Sequence, residues 1–288
     1  MKFIDNLKTM EFKSVFDNKT SQVLISLPLD FKESKKYPLI VSPHPFGWSH
    51  FENFTSGAPD LLYNFKGWSN ISNKFKVIIV FPLGHGKFYE KISLAYEGQI
   101  RDLISIPDII EKAKIKTDTN RMFISGLSMG GMETLTAMGM HPGVFKAGFS
   151  FNAIADLAAW YRDVKCGVVD KKLSDMDTLS LVENEIGGSP DKIAQEYDKR
   201  SAVNYIENFA NANLMIYWSS KDSIVTGAET SQGKKLFDMI KEKYPVSNIY
   251  EHEHTYEHGF TKFDRTECIK CHEYSDFNIA ANWFLKNW

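Results

Sequence analysis

Two hydrophobic periods alternate along this chain, and the switches between them mark out its elements. Residues 10–16 and 21–27 carry the β-branched and aromatic bias of strands, with Asp17-Asn18-Lys19 as the turn between them. Pro38-Leu39-Ile40-Val41, Lys76-Val77-Ile78-Ile79-Val80-Phe81-Pro82 and Arg121-Met122-Phe123-Ile124-Ser125 are short continuous apolar runs. Such runs are the pattern of strands buried on both faces. Residues 98–114 place Ile100, Leu103, Ile104, Ile106, Ile109 and Ile110 at helical spacing, with Pro107 as a kink or a break. A helix is expected over 129–140, stopped by His141-Pro142-Gly143, and a strand over 145–151. Further on the pattern predicts a strand over 213–219, a helix over 228–243, a strand over 246–255 and a closing helix over 275–287. Residues 155–212 are mixed and partly helical, and contain Gly187-Gly188-Ser189-Pro190. They are expected to form a small cap or insertion.

Strands alternating with helices imply an α/β fold, with a mainly parallel central sheet flanked by helices on both faces. No repeat, low-complexity tract or long linker divides the 288 residues, so a single domain over 1–288 is expected. In sheets of this kind, function gathers at the C-terminal ends of the strands.

Composition narrows the class. A formal net charge of -2 does not suggest a polyanion partner such as a nucleic acid. The N-terminus lacks the apolar stretch of about 7–15 residues that a secretory signal needs. No run of about 18 apolar residues predicts a membrane span. The three cysteines, Cys166, Cys268 and Cys271, are too few and too odd in number for a disulfide framework. A cytoplasmic protein is expected, with no nucleic-acid or membrane partner and its oligomeric state left open.

The chemistry centres on Gly126-Leu127-Ser128-Met129-Gly130, between a predicted strand and a predicted helix. A serine at the tip of a sharp strand-to-helix turn has a strained backbone, so its neighbours must carry little or no side chain. The following helix points its positive end at the site, which favours a developing oxyanion. Ser128 is therefore the candidate nucleophile and the Met129 amide a candidate oxyanion donor. A serine hydroxyl needs a base, and the base an orienting acid, in the chain order Ser, Asp or Glu, His.

From Asp118 to Gly131 the chain resembles the nucleophile segment of prolyl-oligopeptidase-type hydrolases and their stand-alone esterase relatives. Lys36-Tyr37-Pro38-Leu39-Ile40-Val41-Ser42-Pro43-His44, the pair Lys221-Asp222, and Glu185-Ile186-Gly187-Gly188-Ser189-Pro190 with Tyr197 and Ser201 are similar too. The resemblance spans about residues 20–288. It implies the α/β-hydrolase fold and a serine esterase acting on a small-molecule ester, acyl or aryl and possibly carbohydrate-linked, without cofactor or metal. The alternatives are a peptidase of the same family and a non-catalytic binding protein on this scaffold.

Asp222, in the loop after predicted strand 213–219, is the acid by position and by resemblance. For the base, strict alternation in Tyr250-Glu251-His252-Glu253-His254 puts both histidines on one face of a strand. His258, in Glu257-His258-Gly259-Phe260, lies beyond that strand, where the family carries its base. His258 is the candidate, with His254 in reserve. The family often has His-Gly-Gly in the loop after the strand ending near Ser42, and this chain has His44-Pro45-Phe46-Gly47. Pro45 has no N–H to donate, so Phe46 is the candidate second oxyanion donor, with Gly47 next and His44 a loop brace.

Aromatic residues in predicted loops, Trp48 and Trp160 foremost, are candidates for the substrate wall. Cys268-Ile269-Lys270-Cys271-His272 has the form of a c-type haem attachment, but no export signal or distal ligand accompanies it. Leu83-Gly84-His85-Gly86 falls short of a phosphate-binding fingerprint and reads as a loop turn.

Overall fold

A computed structural model describes residues 7–46, 70–89, 92–169, 177–254, 258 and 276–287. Among these, eight strands form one sheet: β1 (Leu7–Lys13), β2 (Thr20–Ser26), β3 (Tyr37–Val41), β4 (Ile78–Pro82), β5 (Thr117–Leu127), β6 (Ala147–Phe151), β7 (Leu214–Trp218) and β8 (Ile249–Glu253). Their order is β1-β2-β4-β3-β5-β6-β7-β8. The β1–β2 and β2–β4 pairs are antiparallel, and every pair from β4 to β8 is parallel. This is an α/β-hydrolase sheet.

Every residue of β3, β4 and β6 is buried, as a sheet covered on both faces requires. Alternate residues then serve different cores. Leu39, Val41, Met122 and Ile124 face the larger one. Ile40, Phe123, Phe149 and Phe151 face the smaller one, with Phe284 stacked on Phe123 at 4.8 Å between ring centres. The edge strand β8 is exposed or half-buried beyond Ile249, consistent with a covering on one side only.

The helix expected over 98–114 is two: α1 (Glu97–Ile104) and α2 (Ile106–Glu111). The break is at Ser105, and Pro107 occupies the first turn of α2, where a missing N–H costs nothing. Next comes α3 (Met129–Met140), with the predicted boundaries. The expected insertion over 155–212 contains α4 (Leu157–Lys165), α5 (Thr178–Ile186), α6 (Pro190–Lys199) and a 3₁₀ helix (Ala202–Phe209). It is sunk into the larger core through Leu157, Trp160, Val182, Ile186, Tyr197 and Phe209. α7 (Gly233–Lys243) and α8 (Asp276–Lys286) complete the layers. No helix among the described residues is long and apolar enough to cross a membrane.

Candidate active site

Ser128 separates β5 from α3 with φ 58° and ψ -117°. A non-glycine residue rarely adopts that backbone, and here hydrogen bonds on both sides hold it. The Ser128 N–H donates to the Phe151 carbonyl at 2.9 Å, and the Ser128 carbonyl accepts from the Met132 N–H at 2.9 Å, opening α3. The flanking glycines are obligatory. A β-carbon on Gly126 would lie 2.3 Å from the Gly130 backbone, and one on Gly130 would lie 2.3 Å from the Pro43 carbonyl oxygen. The second of these contacts shows the loop after β3 leaning directly on the start of α3.

That loop carries the candidate oxyanion donor Phe46, half-buried against the larger core. His44 is fully buried, and its Nδ1 donates to the carbonyl of the next residue, Pro45, at 2.7 Å. Gly47 and Trp48 lie outside the described residues. So do Cys268, Cys271 and His272.

The candidate acid follows β7. Asp222 is 6% exposed, and its Oδ1 accepts from the Ile224 N–H at 2.9 Å and the Val225 N–H at 2.8 Å. His258 Nδ1 lies 2.9 Å from Asp222 Oδ1 and 2.8 Å from Oδ2. The candidate acid and base are therefore brought together, 36 residues apart in sequence. The ends of adjacent strands are stitched into one rim: Ser128 N–H to Phe151, Asn152 N–H to Tyr217 at 2.9 Å, and His254 N–H to Trp218 at 2.9 Å. In chain order, Ser128 follows β5, Asp222 follows β7 and His258 follows β8.

Trp160 requires a correction. It is 3% exposed, packed in the larger core, and its indole N–H donates to the Ile224 carbonyl at 2.9 Å. It does not line a substrate wall; it braces the loop that carries Asp222. Asp163, one turn further along α4, accepts from the Thr226 hydroxyl at 2.8 Å and holds the same loop. Trp160→Phe keeps most of the bulk but loses the tie to Ile224. Its expected result is a fall in kcat of about tenfold with KM little changed, because a loosened acid misaligns the base. Unchanged steady-state kinetics would remove Trp160 from this role.

Sequence reading missed the charged groups beneath the elbow. Glu133 is wholly buried on α3, where Ser93 Oγ donates to one carboxyl oxygen and Gln99 Nε2 to the other at 2.8 Å. Ser93 and Leu94 in turn contact the Met129 sulfur. Arg200 Nη1 donates to the Ser93 carbonyl at 3.0 Å, and its guanidinium lies over the Tyr96 ring. Glu185, 4.0 Å from Arg200, accepts from the amides of Lys87, Phe88 and Tyr89. The only sequence signal for Glu133 was one acidic residue inside an otherwise uncharged helix.

Burial pushes the Glu133 carboxyl up to about 7 from its ordinary 4.5. Between those values the folded chain holds a proton that the unfolded chain releases, so stability falls as pH rises through that window and levels off above it. The gap corresponds to about 3 kcal/mol. Glu133→Gln is expected to flatten the decline in Tm between about pH 5 and about pH 8 seen by calorimetry. An undiminished decline in the variant would assign it to other groups.

Among the described residues, no group of three His, Cys, Asp or Glu side chains could hold a metal ion. The parts suit acyl transfer: a strained serine at a helix N-terminus and a histidine held by a buried carboxylate.

Comparison with known proteins agrees in kind. Residues 75–277 match the model of the prolyl oligopeptidase family. Dipeptidyl peptidase 4 of Bos taurus is 23% identical over 250 residues, covering 81% of this chain and 29% of that protein. The chain thus spans under a third of the length of this curated relative. The acylaminoacyl peptidase of Pyrococcus horikoshii superposes with a TM-score of 0.66 at 18% identity, over 99% of this chain and 42% of that one. The S-formylglutathione hydrolase of Agrobacterium tumefaciens superposes with a TM-score of 0.64 at 13% identity, over 98% of this chain and 95% of that one.

Proposed function

The chain belongs to the prolyl oligopeptidase family, and from that premise we propose that it is a serine hydrolase working through an acyl-enzyme on Ser128. One observation carries the reading: His258 Nδ1 sits astride both oxygens of the buried Asp222, in a chain whose Ser128 holds a strained turn between β5 and α3. His258 takes the Ser128 proton as Oγ attacks the acyl carbon. Asp222 fixes the imidazole tautomer and stabilises the imidazolium. The Met129 and Phe46 amides receive the oxyanion, each worth on the order of 10²–10³ in rate. His258 then protonates the leaving group, and water activated by the same base releases the acid.

The bond cleaved has two readings. A peptide or acyl-peptide bond is supported by the dipeptidyl and acylaminoacyl peptidases among the similar proteins. A small carboxylic or thiol ester is supported by the S-formylglutathione hydrolase, whose chain is matched over nearly its whole length. The first has the larger number of similar proteins behind it, which shifts weight from the ester expected on sequence.

Hydrolysis of p-nitrophenyl esters and of aminoacyl, dipeptidyl and N-acyl-aminoacyl p-nitroanilides separates the two. Anilides are the less activated substrates, so turnover of any of them at a rate near that of the esters supports the peptidase reading. Ester turnover with no anilide turnover supports the esterase. Neither activity, together with no labelling by a fluorophosphonate, would leave a binding protein on a hydrolase scaffold.

A further inference from the structure

One buried polar pair on the catalytic rim has no part in the proton relay. His254 is 7% exposed, and its Nε2 donates to Asn152 Oδ1 at 2.8 Å. Asn152 is 3% exposed and holds φ 41°, a left-handed backbone that asparagine tolerates better than most residues. The bond therefore crosses between the chain segments that leave β6 and β8.

Its position gives it a consequence. Asn152 directly follows Phe151, the residue whose carbonyl holds the Ser128 amide. His254 precedes His258 by four residues. His254 is thus tied to the neighbour of the nucleophile's own anchor, and His258, four residues on in the chain, to Asp222. Tyr217 reinforces the pin: its carbonyl accepts the Asn152 N–H, and its ring lies parallel to the His254 imidazole, 6.4 Å between centres at 23°.

His254 is not a second base. Its Nε2 is spent on a carbonyl oxygen, and burial pushes it down to about 4, against the opposing pull of Asp222 and Glu253 and with the help of His252 and His258.

We propose that the His254–Asn152 hydrogen bond is a positioning device that sets the reach of His258 toward Ser128, so that His254 and Asn152 are positioning residues for the hydrolysis. The proposal rests on the Ser128–Asp222–His258 reading above.

The test compares His254→Leu, which removes the donor, with His254→Gln, whose amide N–H can still reach Asn152. Readouts are kcat and KM on the preferred chromogenic substrate, the rate of fluorophosphonate labelling, and Tm. The expected result for His254→Leu is a fall in kcat of about 10- to 100-fold with KM within about twofold, as a misplaced base gives. Labelling slows in parallel, and His254→Gln recovers most of both.

Kinetics and labelling for His254→Leu within about twofold of the parent chain would overturn the proposal. So would His254→Gln being as slow as His254→Leu while keeping the parent's Tm, since the donor would then be irrelevant. If His254→Leu does not fold, Asn152→Ala removes the acceptor instead and is read by the same measures and limits. A parent chain that takes no label at all would instead overturn the functional reading on which the proposal rests.

Discussion

Ser128→Ala is expected to lower kcat by roughly 10⁶ while leaving Tm close to that of the parent chain, if the residue works as part of a triad. The two halves of that result have different causes. The loss follows from removing the only atom that can form the acyl-enzyme. A residual rate over water remains, from the oxyanion donors and substrate binding. The unchanged stability follows from the backbone. The strained φ of 58° is held by the amide and carbonyl of residue 128, through Phe151 and Met132, and alanine keeps both. The β-carbon is already present, so no new contact is made at the elbow. A variant that lost activity and stability together would point to collapse of the turn.

The second large effect is at Asp222. Asp222→Asn is expected to lower kcat by about 10⁴. The geometry dictates how. Asp222 Oδ1 receives two backbone N–H groups, from Ile224 and Val225, so an asparagine must place its carbonyl oxygen there. Its NH₂ group then takes the place of Oδ2 and meets His258 Nδ1. That nitrogen must become an acceptor, the ring proton moves to Nε2, and the base no longer has a lone pair facing the serine. Parent-like kinetics in kcat against pH would show that Asp222 does not set the tautomer.

Much of the scaffold was legible in the chain because its strands are buried on both faces. A run such as Leu39, Ile40 and Val41 cannot be mistaken when alternate residues serve two cores, Leu39 and Val41 the larger and Ile40 the smaller. The elbow was legible for a different reason: the close approaches at Gly126 and Gly130 admit no side chain, so glycine at those positions is a physical requirement. The pairing of His258 with Asp222 was reached through chain order and resemblance, and the geometry gives it a bond.

Other features were hidden because sequence reports a residue's type and not its neighbours. Trp160 had the look of a pocket residue, yet its N–H is used up behind the acid loop. The 98–114 segment had one helical period, but the two N–H acceptors competing at Ser105 mark a tightened turn where it breaks. Glu133, Arg200 and Asn152 carry their roles through partners 34 to 107 residues away. No local pattern records such distances.

The central claim is that Ser128 is the nucleophile, and intact-mass analysis with peptide mapping after treatment with a fluorophosphonate tests it most directly. The expected result is a single adduct on the peptide containing Ser128, absent from Ser128→Ala and greatly slowed in Asp222→Asn. An adduct on any other residue, or no adduct on a folded parent chain, would contradict it.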